Sequence, residues 1–97
     1  MVINKYIVLY YSPNISWGKV EKEVFVFNEE THKIYLLRDY LADFWISVSS
    51  QKCVSDIIQD LSSVYNISPS IERKIQHSVM RYIEDKLLVI NGEIHNE

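Results

Sequence analysis

Between Glu23 and Trp45 the apolar pattern changes from that of a strand to that of a helix with no linker between them. Val24, Phe25, Val26 and Phe27 form a short run of β-branched and aromatic residues, which favours a strand. Asn28 to His32 is polar and turn-like, and Lys33 to Leu37 is a second apolar run of strand length. The pair reads as a β-hairpin with a loop of about five residues. Leu41, Phe44, Trp45 and Val48 then recur at i, i+3, i+4 and i+7, the spacing of one helix face. Asp39 is placed to cap that helix by accepting from the free N–H groups of its first turn. Every other segment must pack around this strand–turn–strand–helix unit.

The chain has 97 residues, 47% of them hydrophobic and 24% charged, enough for one domain with a modest core but not for a deep catalytic cleft. A net charge of −3 does not favour nucleic acid as a partner, since such proteins normally carry a basic footprint. The single cysteine forbids an internal disulfide, which suits a cytoplasmic location. No apolar run approaches the ~20 residues a bilayer span needs, so no membrane partner is expected. The opening MVINKYIVLYYSPN has no small-residue cleavage site and several tyrosines, so it reads as a strand rather than a signal peptide.

Taken in order, Ile3 to Tyr11 is extended-looking and is broken by Ser12-Pro13-Asn14. Residues 1–14 are read as an additional N-terminal strand, paired with the sheet or with a second chain, on a core of about 15–90. Ile15 to Glu21 alternates partly around Gly18, as an irregular strand would, and leads into Val24 to Phe27. The expected sheet is three-stranded and antiparallel, and the order of the segments leaves open whether Lys33 to Leu37 is an edge strand. Three helices follow, near residues 39–48, 54–65 and 69–86. Cys53 stands at the start of the second; it is a poor cap, which leaves Ser50 or Ser55 to serve. Asn66 suits a left-handed residue after that helix. Ser68-Pro69 is a start signal for the third, with Ser as cap and Pro in the first turn. Ile71, Ile75, Val79, Tyr82 and Ile83 give it an apolar face. Leu87 to Ile90 is a short strand or extended tail, Asn91-Gly92 a turn, and 93–97 a frayed end.

Catalytic constellations are not apparent. His32, His77 and His95 lack metal-ligand spacing, and Cys53 has no histidine pattern beside it. Asp39 and Asp43 are better explained as a cap and an exposed helical acid than as a carboxylate pair. With Gly18 and Gly92 the only glycines, there is no phosphate loop. No enzyme activity and no cofactor are expected. Arg73, Lys74, His77 and Arg81 cluster on the third helix, as a solvated face, as a patch attracting an acidic peptide or as a recognition helix for DNA.

The stretch VFNEETHKIYLLRDYLADFW resembles the hairpin-to-helix signature of the PqqD-like family, the peptide-binding domains known as RiPP recognition elements. Asn28 stands where that family often has Asp. Thr31, Lys33, the strand Ile34-Tyr35-Leu36-Leu37 and Trp45 match in order and spacing, while His32 replaces the turn Gly and Arg38 replaces an Asn. The resemblance extends from about Ile15 to Val89. It implies a winged-helix-like α+β domain, a three-stranded antiparallel sheet followed by three helices. It further implies that a precursor leader peptide adds as a strand and is presented to a modifying enzyme such as a radical SAM enzyme, a cyclase or a leader peptidase. Carried over by position, the peptide groove would use Lys33, Ile34, Tyr35, Leu36 and Leu37 on the strand, and Arg73, Ile75, Val79, Arg81 and Tyr82 on the helix. Winged-helix folds also serve small DNA-binding transcription regulators, which is the rival expectation.

Overall fold

The computed structural model describes residues 4–90. The expected Asn91-Gly92 turn and the tail beyond it lie outside the described residues, as do residues 1–3 of the N-terminal run. Strand β1 (Leu9–Tyr11) is followed by β2 (Ile15–Val20), β3 (Glu23–Asn28) and β4 (Ile34–Leu37). Helix α1 (Asp39–Ser47) runs into a short 3-10 turn (Val48–Ser50), and α2 (Val54–Leu61), α3 (Pro69–Glu84) and β5 (Leu88–Ile90) follow among the described residues. The three-stranded sheet has the order β2-β3-β4, antiparallel throughout. This is the expected α+β arrangement of a hairpin sheet ahead of three helices.

One face of the sheet builds the core. Val24 and Val26 of β3 and Leu37 of β4 are buried, and they meet Ala42, Phe44 and Trp45 of α1, Ile57 and Leu61 of α2, and Ile75 and Val79 of α3. Trp45 is fully enclosed, with its ring 5.1 Å from Tyr11, 6.2 Å from Trp17 and 6.0 Å from Tyr82. Its Nε1 has no hydrogen-bond acceptor, but the Trp17 and Tyr82 rings stand nearly perpendicular to it, an arrangement that aromatic quadrupoles favour. The Tyr11 hydroxyl donates to the Trp45 carbonyl at 2.6 Å, which ties β1 to α1.

Among the described residues the N-terminal run does not join the three-stranded sheet. Of its described residues Leu9–Tyr11 form the strand, which pairs antiparallel with β5, Leu9 opposite Ile90 and Tyr11 opposite Leu88. The preceding residues do a different job: the Ile7 and Lys5 carbonyls accept from the Val54 and Ser55 amides at 3.0 and 2.7 Å. These are orphan donors at the start of α2, so neither Ser50 nor Ser55 is needed as its cap, and Cys53 at the cap position makes no side-chain bond.

Three other local expectations are corrected. Asp39 does not cap α1; the cap residue is Arg38, without a side-chain bond, and Asp39 is the corner residue between β4 and the helix, at φ 55°. Helix α2 ends at Leu61 because the Ser62 and Ser63 hydroxyls donate to the Gln59 and Asp60 carbonyls at 2.6 and 2.7 Å, and residues 62–65 form looser turns. Asn66 is not left-handed. The left-handed residue that closes an α-helix is Lys86 (φ 62°), after α3, with Leu87 donating to the Tyr82 carbonyl and Lys86 to that of Ile83, the pairing of a Schellman end. The Ser68-Pro69 start stands as expected, with Ser68 Oγ accepting from the Ile71 amide at 3.2 Å.

Candidate functional site

The β3–β4 turn is held by Asn28, which is buried. Its Oδ1 accepts from the Glu30 and Thr31 amides at 2.8 and 3.2 Å, and its Nδ2 donates to the Asp85 carbonyl at 3.1 Å. The second bond explains why an amide stands here rather than a carboxylate: Asp could shape the turn but could not donate to a carbonyl at the end of α3. His32 occupies the turn at φ 63°, the conformation in which Gly is usual, and its ring stacks on Phe27 at 6.1 Å.

The backbone amide of Asn28 donates to the Lys33 carbonyl at 2.9 Å. In an antiparallel ladder hydrogen-bonded pairs alternate with unbonded ones, so the next bonded pair is Val26 with Tyr35, and then Val24 with Leu37. The N–H and C=O groups of Ile34 and Leu36 therefore point away from β3. Among the described residues no strand pairs with that side of β4, so Ile34 and Leu36 form an open edge. Their side chains lie on the outer sheet face beside Phe25 and are 68% and 44% exposed. Tyr35 and Leu37 turn the other way, toward the helices.

Helix α3 forms the neighbouring wall. The Tyr35 hydroxyl donates to Asp85 Oδ2 at 3.0 Å, which with the Asn28 bond pins the end of the helix to the hairpin. Burial pushes the Tyr35 phenol up, the Asp85 carboxylate pushes it further, and the nearby Arg81 guanidinium partly offsets both. At about 100° per residue, the helix positions that share the side of Asp85 are Arg81, Ser78, Lys74 and Ile71. Near the start of α1 the Tyr40 and Tyr65 rings meet edge to face at 6.2 Å, and the Tyr65 hydroxyl donates to Asp43 Oδ2. That hydrogen bond, with some desolvation, pushes the Tyr65 phenol up to about 12.

The ten residues expected in the groove separate into three groups. Ile34, Tyr35, Leu36 and Leu37 form β4, with Lys33 just before it, and Arg81 lies beside Tyr35. Ile75, Val79 and Tyr82 are buried in the core and brace α3 from behind. Arg73 lies twelve positions before Asp85, about 120° round the helix from the β4 side. By helical spacing Lys74 and Ser78 share the side of α3 that carries Asp85 and Arg81. Their i, i+4, i+7 spacing with Arg81 is present in the sequence, but it is what any solvated helix flank shows, and only the Tyr35–Asp85 contact picks out the side. Among the described residues no group of three or more potential metal ligands comes together. No helix there is long and apolar enough to cross a membrane.

No family model and no curated protein matches the chain. Among solved structures it is similar to TbiB1 in complex with the TbiA(β) leader peptide. The TM-score is 0.73 at 17% sequence identity, and the likeness covers 84% of this chain and 94% of the solved one. At that identity the two share a fold.

Proposed function

We propose that this chain binds the leader segment of a ribosomally made precursor peptide as an added strand on β4 and presents it to a modifying enzyme. The observation that carries the proposal is the open edge of β4 alongside α3. Ile34 and Leu36 offer unpaired N–H and C=O groups in one line, and such an edge is completed by an extended peptide. The hairpin resemblance supports the same reading, as does the shared fold with TbiB1, a protein solved with a leader peptide on it. Buried Ile75, Val79 and Tyr82 hold α3 rigidly against the core, so the wall opposite the edge is preformed. The modifying partner would be a radical SAM enzyme, a cyclase or a leader peptidase, as the family resemblance implies.

The test is an anisotropy titration of a labelled leader peptide, taken from any short precursor gene that a survey of the neighbouring genes finds, run beside duplex DNA. A short peptide that orders on binding should show a Kd between roughly 10 nM and 10 μM. Tight DNA binding that falls steeply with salt, with no peptide binding at about 100 μM, would replace this reading with the DNA-binding regulator.

A further inference from the structure

We infer that Lys74 and Arg81 set the peptide specificity of the groove, by reading acidic side chains on the helix-facing positions of the added strand. This rests on the strand-addition reading and names the chemistry that it selects. A strand laid along β4 alternates its side chains between the outer sheet face and the side of the helices. Those turned inward meet the stripe Ile71, Lys74, Ser78, Arg81 and Asp85. Lys74 and Arg81 are exposed, and among the described residues neither is within ion-pair distance of a carboxylate. The one acid on the stripe, Asp85, accepts from the Tyr35 hydroxyl and is turned to the hairpin. Two uncompensated cations one heptad apart span about 10 Å along the helix. Inward side chains of a strand repeat at about 7 Å, so both cations are reachable from carboxylates two or four residues apart in the peptide.

The neighbouring Arg73 makes this distinguishable from general attraction. It carries the same charge and is also exposed, but it lies about 120° away from the β4 side. A general field would treat the two arginines alike; a groove contact would not.

The experiment selects a displayed library of random 12-residue peptides on the intact chain, then measures one enriched peptide against the variants. The expected result is enrichment of acidic residues at positions two or four apart. Lys74→Glu with Arg81→Glu should weaken that peptide by roughly tenfold or more and flatten its salt dependence, while Arg73→Glu should change it by less than about twofold. Replacing the peptide acids with Lys should restore binding to the doubly reversed chain. Circular dichroism of each variant establishes that the fold is intact. Enriched peptides without acidic residues, or an equal loss from Arg73→Glu, would overturn this assignment and leave strand addition standing. Failure of any peptide to enrich would overturn both.

Discussion

Proline at position 36 should separate folding from binding. Leu36 directs its N–H to the open edge, because the bonded pairs of the β3–β4 ladder are those of Lys33, Tyr35 and Leu37. Leu36→Pro therefore removes no hydrogen bond from the hairpin, and proline is tolerated on edge strands where its missing N–H faces solvent. Tyr35, the residue before it, is already extended, as a pre-proline residue must be. The stability change should stay below about 1 kcal/mol. Binding is another matter. An added strand exchanges hydrogen bonds with Ile34 and Leu36, and proline leaves one carbonyl of the incoming peptide facing a ring carbon. Stranding one such acceptor costs about 1–3 kcal/mol, which is roughly 5- to 150-fold in Kd.

Tyr35→Pro is the matched control. It removes a donor from within the ladder, deletes the hydroxyl that holds Asp85, and should destabilise the domain by about 3 kcal/mol or more. Urea denaturation gives the first quantity for each variant and the peptide titration gives the second. If Leu36→Pro unfolds as readily as Tyr35→Pro, the bonded pairs of the hairpin are assigned the wrong way round. If it folds and binds the peptide unchanged, the peptide does not add at this edge.

Trp45→Ala should cost about 3–5 kcal/mol by urea denaturation, since its ring is enclosed on all sides; a loss under about 1 kcal/mol would contradict that burial. Alkaline pH should weaken the fold through Tyr65. Its phenol ionises near 10.0 when unfolded and about 12 when folded, so its contribution is fully present below pH 10 and is lost as pH rises toward 12. Burial holds Tyr82 at about 12 as well. A series of urea melts from pH 9 to 12 should therefore fall steeply, and less so in Tyr65→Phe, which keeps the contributions of Tyr82 and of the other raised phenols, Tyr35 and Tyr11; parallel slopes would show that the Asp43 bond does not form.

The hairpin and the three helices were legible because each is written in local periodicity, where alternate or every third-and-fourth residue must be apolar, whereas the edge position of β4 depends on long-range pairing that periodicity leaves open. Asp39 misled because a cap and a left-handed corner residue draw on the same short polar side chains. The partner of the N-terminal strand was not legible for a different reason. Leu9 pairs with Ile90, almost the whole chain away, and nothing in either short apolar run specifies the other. The candidate wall was half legible. Periodicity places Ile75, Val79 and Tyr82 together on one face, and that face proves to be the core; the wall is a flank of the helix. Two flanks border every apolar stripe, and the choice between them depends on a single long-range contact, Tyr35 with Asp85.

That choice also shows how one short strand can serve both the fold and a ligand. In a β-strand the direction of the backbone groups and the face of the side chain change together at each residue. Tyr35 and Leu37 direct their backbone to β3 and their side chains to the helices, so they secure the hairpin and the core. Ile34 and Leu36 direct their backbone to the open edge and their side chains to the outer face, so substitutions there cost little stability. In the complex proposed above, peptide residues paired opposite Ile34 and Leu36 would meet a shallow, solvent-exposed apolar surface, which discriminates weakly between side chains. Those between them would face the side of the helices, where the proposal places Lys74 and Arg81. On that proposal, backbone pairing on β4 contributes affinity for any extended segment, and the discrimination between one leader and another falls to the flank of α3.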